Sequence, residues 1–216
     1  TPLAKQRPHA VGLGLAAKLA GDPVVAMCMF GDGATSAGAF PAALPRAAVY
    51  QAPVVFLVQN NQYAISVPLS KQTHAASLAD KAGGYGLPGV RVDGNDLIAL
   101  STVLDAAVRR AREGGGPTLV EAITYRMQAH TNADDAARYR QPDEVEQWRG
   151  RDPIHRLATY LTALGVLDDA VEAEIDEECA AYTERMRAEF AEEPAYDPDE
   201  LFEHVYAQPT SQLLEQ

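Results

Sequence analysis

Two short apolar runs constrain this chain more than any other feature. PVVAMCMF (23–30) and APVVFLVQ (52–59) are rich in Val, Met and Phe, and turn residues bound each of them. Runs so short and so apolar read as strands covered on both faces, as in a parallel sheet. GVRVDG (89–94) and PTLVEAITYR (117–126) extend the pattern. Helical stretches lie between: 8–20 with Pro8 near its start, 37–50, a short one at 75–84, and 96–113. In the second, Pro41 suits a first turn, whereas Pro45 costs a hydrogen bond or a kink. In the last, Asn95 or Asp96 is the expected cap, and Gly114-Gly115-Gly116 ends the helix. Strands alternating with helices predict an α/β fold with a doubly wound parallel sheet.

Gly12 and Gly14 weaken the first helix, so close packing against another element is expected there. NNQYAISVP (60–68) reads as an irregular loop. After Arg126 the pattern changes. MQAHTNADDAARYRQPDEVEQW (127–148) is polar and aperiodic, a long loop of the kind that carries function or is disordered. From Asp152 onward helices are expected at DPIHRLATYLTALG, at the long acidic stretch from Asp168, and at DPDELFEHVY. The division predicted is an α/β domain at 1–135 and a C-terminal loop and helical region at 136–216.

Charge narrows the partners. The 18 Lys+Arg against 30 Asp+Glu leave a net charge of −12, which disfavours nucleic acid and anionic membrane surfaces. The acidic block from Asp168 to Glu203 is expected to be a solvated helix face. No apolar run reaches membrane-spanning length, and no signal peptide is visible. Cys28 and Cys179 suggest neither a disulfide framework nor a zinc site, which fits a reducing, cytoplasmic setting. The chain opens on TPLAKQRPHAVG without a Met, so its natural N-terminus is expected upstream.

The chemistry is expected at the carboxyl ends of the strands, where open α/β sheets bind ligands. Asp32 stands just past one strand and Asn61 just past another. If those strands are parallel neighbours, a carboxylate, a carboxamide oxygen and a backbone carbonyl form an all-oxygen set for Mg²⁺ or Ca²⁺. Gly31 and Gly33 would let phosphate oxygens approach the backbone, and the helix after Gly33 would offer its first N–H groups. A metal-bridged diphosphate site follows. GDG alone is most often a plain turn. A Rossmann-type nucleotide site lacks its G-x-G-x-x-G.

The pair GDG (31–33) and NN (60–61), each closing an apolar strand, matches the thiamine-diphosphate signature. The wider sequence resembles the α subunit of the thiamine-dependent component of 2-oxo acid dehydrogenase complexes. TPLAKQRPHAVGLGLAAK, PVVFLVQNNQYAISVP, GYGLPGVRVDGND, GPTLVEAITYRMQAHTNADDAARYR, EVEQWRGRDPIHRL and DPDELFEHVYAQPTSQL follow that family's order. The resemblance implies a thiamine-diphosphate-binding fold with a C-terminal helical extension. It implies Asp32, Asn61 and the main-chain oxygen of Tyr63 as Mg²⁺ ligands, and Gly31, Gly33 and Ala34 as the turn that receives the diphosphate. Thr1 and Leu3 fall in the segment supporting the bent cofactor. Gln59 stands where relatives often carry a basic diphosphate contact. His130 resembles the active-site loop histidine, an imidazole able to hold or pass a proton at neutral pH. Arg126, Tyr139 and Arg140 resemble the residues ordering that loop, with Asp134 and Asp135 as their partners. Thr131 stands where mitochondrial relatives have a phosphorylated serine.

In that family the carboxylate that activates the cofactor comes from a β subunit, within an α₂β₂ heterotetramer that passes its acyl group to a lipoyl acyltransferase core. AHTNADDAARYR looks most like the branched-chain subgroup, with pyruvate and acetoin versions open. Ala37, Ala39 and Ala42 depart from the acidic residues that most relatives carry there. They keep open a non-catalytic, α-like partner of a β subunit.

Overall fold

The computed structural model describes residues 4–192, 197–198, 200–203 and 205–215. Thr1, Leu3 and His204 therefore lie outside the described residues. The chain divides into two compact units, Thr1–Ala163 and Leu164–Gln216.

The first unit opens with α1 (Gln6–Ala20), which leads into β1 (Ala26–Gly31). A 3₁₀ turn over Asp32–Ser36 precedes α2 (Ala39–Tyr50), followed by β2 (Val54–Asn60). A small hairpin, β3 (Tyr63–Ala64) and β4 (Val67–Pro68), comes next. A 3₁₀ segment at Ala79–Tyr85, β5 (Gly89–Asp93), α3 (Leu97–Arg112) and β6 (Thr118–Ile123) complete the sheet and its layers. Then α4 (Pro142–Arg149) and α5 (Pro153–Ala163) close the unit.

The main sheet is parallel throughout, in the order β1-β2-β6-β5. Strand side chains alternate between faces. Val54, Phe56 and Val58 join the layer of α1 and α2, with Ala10, Val11, Phe40, Leu44 and Ala47. Val55, Leu57, Val120 and Ala122 pack under α3, beside Ala107, Leu100 and Leu104. Covering on both faces explains why β2 is an uninterrupted apolar run.

Several expectations need correction. β1 is not fully buried. Cys28 and Phe30 point inward, but Met27 and Met29 are 43% and 50% exposed. β1 is the edge of the described sheet, and α3 packs on β2, β5 and β6. Gly14 does pack closely: a Cβ there would lie 2.9 Å from Val54 Cγ2 and 3.0 Å from the Pro53 carbonyl. Gly12 meets nothing within 4 Å. NNQYAISVP is a hairpin rather than an irregular loop, pairing Tyr63 with Pro68 and Ala64 with Val67. The polar stretch after Arg126 ends early, because PDEVEQWR forms α4 with a proline at its start and Asp143 and Glu144 in its first turn. The predicted cap of α3 resolves to Asp96, whose side chain accepts from the Ala99 N–H at 3.0 Å. Pro45 lies within α2, where its bond to the Pro41 carbonyl cannot form.

In the second unit, α6 (Asp169–Ala191) is capped by Asp168, which accepts from the Ala170 and Val171 N–H groups. Its acidic residues are exposed, as expected of a solvated face. The short helices α7 (Glu200–Glu203) and α8 (Ser211–Leu214) follow. Sequence periodicity did not announce α8. Among the described residues both cysteines are free, and no helix is long and apolar enough to cross a membrane.

Candidate cofactor-binding site

Parallel register decides which loops meet. Gly31 pairs with Gln59, and Asn60 pairs with Ile123. The exits of β1, β2 and β6 therefore lie side by side on one sheet edge. The ladder runs slightly further, since the Thr124 and Arg126 N–H groups donate to the Asn60 and Asn61 carbonyls at 2.9 and 3.3 Å. The turn 32–36, the residues after Asn60 and the loop after β6 share this edge.

Asp32 is 1% exposed. Its Oδ2 accepts from Gln72 Nε2 at 2.7 Å, and no described cation forms an ion pair with it. A carboxylate removed from water and met by one neutral amide is poorly compensated. The chemistry of the set suits a hard divalent cation, because Asn61 Oδ1 and the Tyr63 carbonyl are further oxygen donors on the neighbouring strand exit. Asn61 Oδ1 accepts from the Tyr63 N–H at 3.2 Å, and the Tyr63 carbonyl accepts from Arg126 Nη1 at 3.4 Å. Among the described residues no cluster of three His, Cys, Asp or Glu side chains stands elsewhere as a competing metal site.

The turn itself differs from expectation. The helix does not follow Gly33 directly; Gly33 lies inside the 3₁₀ turn, and α2 starts at Ala39. A Cβ on Gly33 would fall 2.6 Å from Ala64 Cβ, so its glycine is required by the hairpin behind it. Gly31 is the open one, meeting only the Gln59 carbonyl at 4.0 Å. Gln59 is exposed beside it. Two cations that sequence reasoning passed over hold the turn from within. Arg7 Nη1 donates to the Ala34 carbonyl at 3.3 Å, and Lys81 Nζ donates to the Thr35 hydroxyl at 3.1 Å. Burial lowers the pKa of the Lys81 ammonium, and Glu121 offsets part of that effect. An arginine in an Ala- and Leu-rich helix was the available signal for Arg7. Gln72 carried none.

The loop after β6 is tied by arginines. Arg126 Nη2 donates to the Tyr139 hydroxyl at 3.1 Å and to the Ile65 carbonyl. Ile65 has φ +55°, a costly backbone for a β-branched residue, at the hairpin tip that Arg126 fastens. Arg140 donates to the carbonyls of Arg126, Met127 and Gln128. Asp134 accepts from the His130 N–H at 2.8 Å and from the Tyr139 hydroxyl. Those bonds, Tyr139 first, hold its carboxyl below the usual range. This fastening is present above the ordinary carboxylate pKa of about 3.9 and is lost as pH falls through the lower folded value. Asp135 instead caps the short 3₁₀ turn by accepting from the Ala137 N–H. The His130 side chain is exposed, so the loop presents an imidazole to solvent. From α4, Glu144 accepts from the Tyr63 hydroxyl at 2.9 Å, and Trp148 stacks on Tyr125 at 5.2 Å. Burial and then the Glu144 bond push the Tyr63 hydroxyl up, which keeps it a donor. Arg126→Met is expected to raise proteolytic cleavage within 127–140 by about tenfold without changing the unfolding midpoint of the sheet. Unchanged cleavage would show that the loop is held by other contacts.

The chain matches the dehydrogenase E1 component family over residues 1–199. It belongs to that family. Among curated E1 relatives, the α subunit of 3-methyl-2-oxobutanoate dehydrogenase of Mycobacterium tuberculosis is 46% identical over 215 residues, covering 100% of this chain and 59% of the relative. The α subunit of 2-oxoisovalerate dehydrogenase of Bacillus subtilis is 39% identical over 207 residues, covering 96% and 63%. The α subunit of the pyruvate dehydrogenase E1 component of Acholeplasma laidlawii is 40% identical over 212 residues, covering 96% and 61%. The chain thus spans about three-fifths of the length of these E1 relatives. The parallel sheet flanked by helices is the architecture expected for this E1 chain.

Proposed function

We propose that this chain is the cofactor-binding part of the α subunit of a cytoplasmic 2-oxo acid dehydrogenase. It decarboxylates a branched-chain 2-oxo acid and passes the acyl group to lipoamide. The observation that carries this reading is Asp32: a buried carboxylate paired with no described cation, at the sheet edge shared with Asn61, in a chain matched by E1 relatives along its length. Membership of the family implies thiamine diphosphate, and the oxygen donor set suits Mg²⁺ as its bridge.

Bound thiamine diphosphate supplies the electron sink for loss of carbon dioxide. The chain's own residues bind and position. Asp32, Asn61 and the Tyr63 carbonyl would hold Mg²⁺. Gly31 leaves the backbone open for a phosphate oxygen, Gly33 and Ala34 complete the turn, and Gln59 offers a neutral amide beside it. Thr1 and Leu3 belong to the segment assigned to cofactor support. His130 holds or passes a proton at the reacting centre, and Arg126 positions the loop that presents it. The activating carboxylate is assigned to a β subunit, in an α₂β₂ assembly serving a lipoyl acyltransferase core. The names of the M. tuberculosis and B. subtilis relatives, together with AHTNADDAARYR, favour branched-chain substrates over pyruvate.

The test is turnover by the full-length chain co-expressed with its β subunit, given Mg²⁺ and thiamine diphosphate. 3-Methyl-2-oxobutanoate should exceed pyruvate in kcat/KM by at least ~10-fold, the scale on which extra methyl groups discriminate. A preference for pyruvate would overturn the substrate assignment. An intact complex without turnover on any 2-oxo acid would make the chain a non-catalytic partner.

A further inference from the structure

We propose that Arg7 supplies the positive charge with which the 32–36 turn holds the terminal phosphate of its ligand. The inference rests on the reading of this turn as a diphosphate site, and goes beyond it by assigning a residue from α1. Arg7 is 0% exposed. Its Nη1 donates to the carbonyls of Ala4 and Ala34 at 3.4 and 3.3 Å. The guanidinium lies 4.1 Å from the Phe30 ring centroid and 5.6 Å from that of Phe40. Nε and Nη2 are buried and have no hydrogen-bond partner among the described residues. No described carboxylate pairs with Arg7.

Aromatic faces and two long carbonyl contacts compensate a buried cation only in part. The unpartnered nitrogens are informative by their geometry. Nε and Nη2 form one edge of the guanidinium, the pair that engages two oxygens of a phosphate or carboxylate together. The turn that Arg7 touches at Ala34 also carries a complementary charge. Asp32 begins the same turn, is 1% exposed, and pairs with no described cation, Arg7 included. A metal-bound diphosphate meets both needs, with its cation at Asp32 and its anion toward Arg7. The arrangement also accounts for Gln59, a neutral residue beside Gly31: the charge sits beneath the turn rather than on β2.

The experiment measures thiamine diphosphate affinity, with Mg²⁺ present, in the full-length chain assembled with its β subunit. R7M and R7Q are expected to raise Kd roughly 30-fold, whereas R7K, which keeps the charge but loses the paired edge, should raise it only about 5-fold. Thiamine, which carries no phosphate, should bind wild type and R7Q alike. Adding Q59R to R7Q should recover most of the lost affinity. A packing role alone would make R7K and R7Q equally weak and would not be rescued from β2. Unchanged Kd in a folded R7Q overturns the proposal, as does weakened subunit assembly with intact Kd, which would assign Arg7 to a partner's carboxylate. D32A separates the two levels. Loss of binding in D32A with none in R7Q rejects only the role of Arg7, whereas no loss in D32A rejects the diphosphate site.

Discussion

Asp32→Ala is expected to remove Mg²⁺-dependent binding of thiamine diphosphate, raising Kd by at least ~100-fold, beyond what loss of a supporting contact costs a metal site. The ligand-free protein should behave in the opposite sense. Asp32 is 1% exposed, with only the Gln72 amide among the described residues to compensate it, so its deletion relieves a poorly compensated charge. The melting temperature without cofactor should not fall. The increase that Mg²⁺ and thiamine diphosphate add to wild type should vanish, because a ligand stabilises only the state that binds it. Thermal melts of both proteins, with and without cofactor, read the two effects separately. A cofactor-dependent increase that survives in Asp32→Ala would remove Asp32 from the site. A large fall in the ligand-free melting temperature would make it a structural residue.

Glu121→Ala should be the most destabilising change in the sheet. Glu121 lies on β6, 1% exposed, within a strand whose other residues except Thr118 are apolar. It accepts from Asn60 Nδ2 at 2.7 Å, from the Ser77 hydroxyl and from the Ala79 N–H at 3.0 Å. Alanine would take the acceptor from the buried Asn60 amide and the half-buried Ser77 hydroxyl, leave the Ala79 N–H only Ser77 Oγ, and open a space behind them. Losses of this kind cost about 3–5 kcal/mol, against a total stability typically of 5–15 kcal/mol, or ~10 for an ordinary domain. The effect would reach the site, since the 3₁₀ segment after Ser77 carries Lys81 to Thr35. Glu121→Gln keeps one acceptor oxygen and should cost less than half as much. Urea unfolding decides the matter: a loss under ~1 kcal/mol for Glu121→Ala would show that water replaces the carboxylate.

Where the sequence was legible, burial was symmetric. β2 and β6 are covered on both faces, so their composition alone marks them. β1 has the same composition but only one covered face. Being an edge is a property of strand order, which no local window contains. The hairpin strands hold two residues each, too few for alternation to register. α4 began with a proline and two acids, a helix start easily taken for loop polarity. In the site, Asp32 and Asn61 could be placed because strand exits mark them. Their surroundings could not: Gln72 reaches Asp32, Arg7 reaches Ala34 and Glu121 reaches Asn60 through packing between distant segments. The arginines of the loop after β6 were legible by resemblance, but Glu144 and Trp148 were not, since α4 itself was misread.

The strand order has a consequence for synthesis. β6 lies beside β2, although β5 and α3 come between them in the chain. The Asn60–Glu121 hydrogen bond spans 61 residues. Closing so long a loop costs entropy before any contact rewards it, which makes such pairings slow. A nascent chain that has emerged only through α3 can pair β1 with β2, while the other edge of β2 stays bare. Val54 to Val58 then offer an unpaired, wholly apolar edge, the kind of surface that recruits wrong strand partners. Until translation passes Ile123, that edge of β2 has no native strand to cover it.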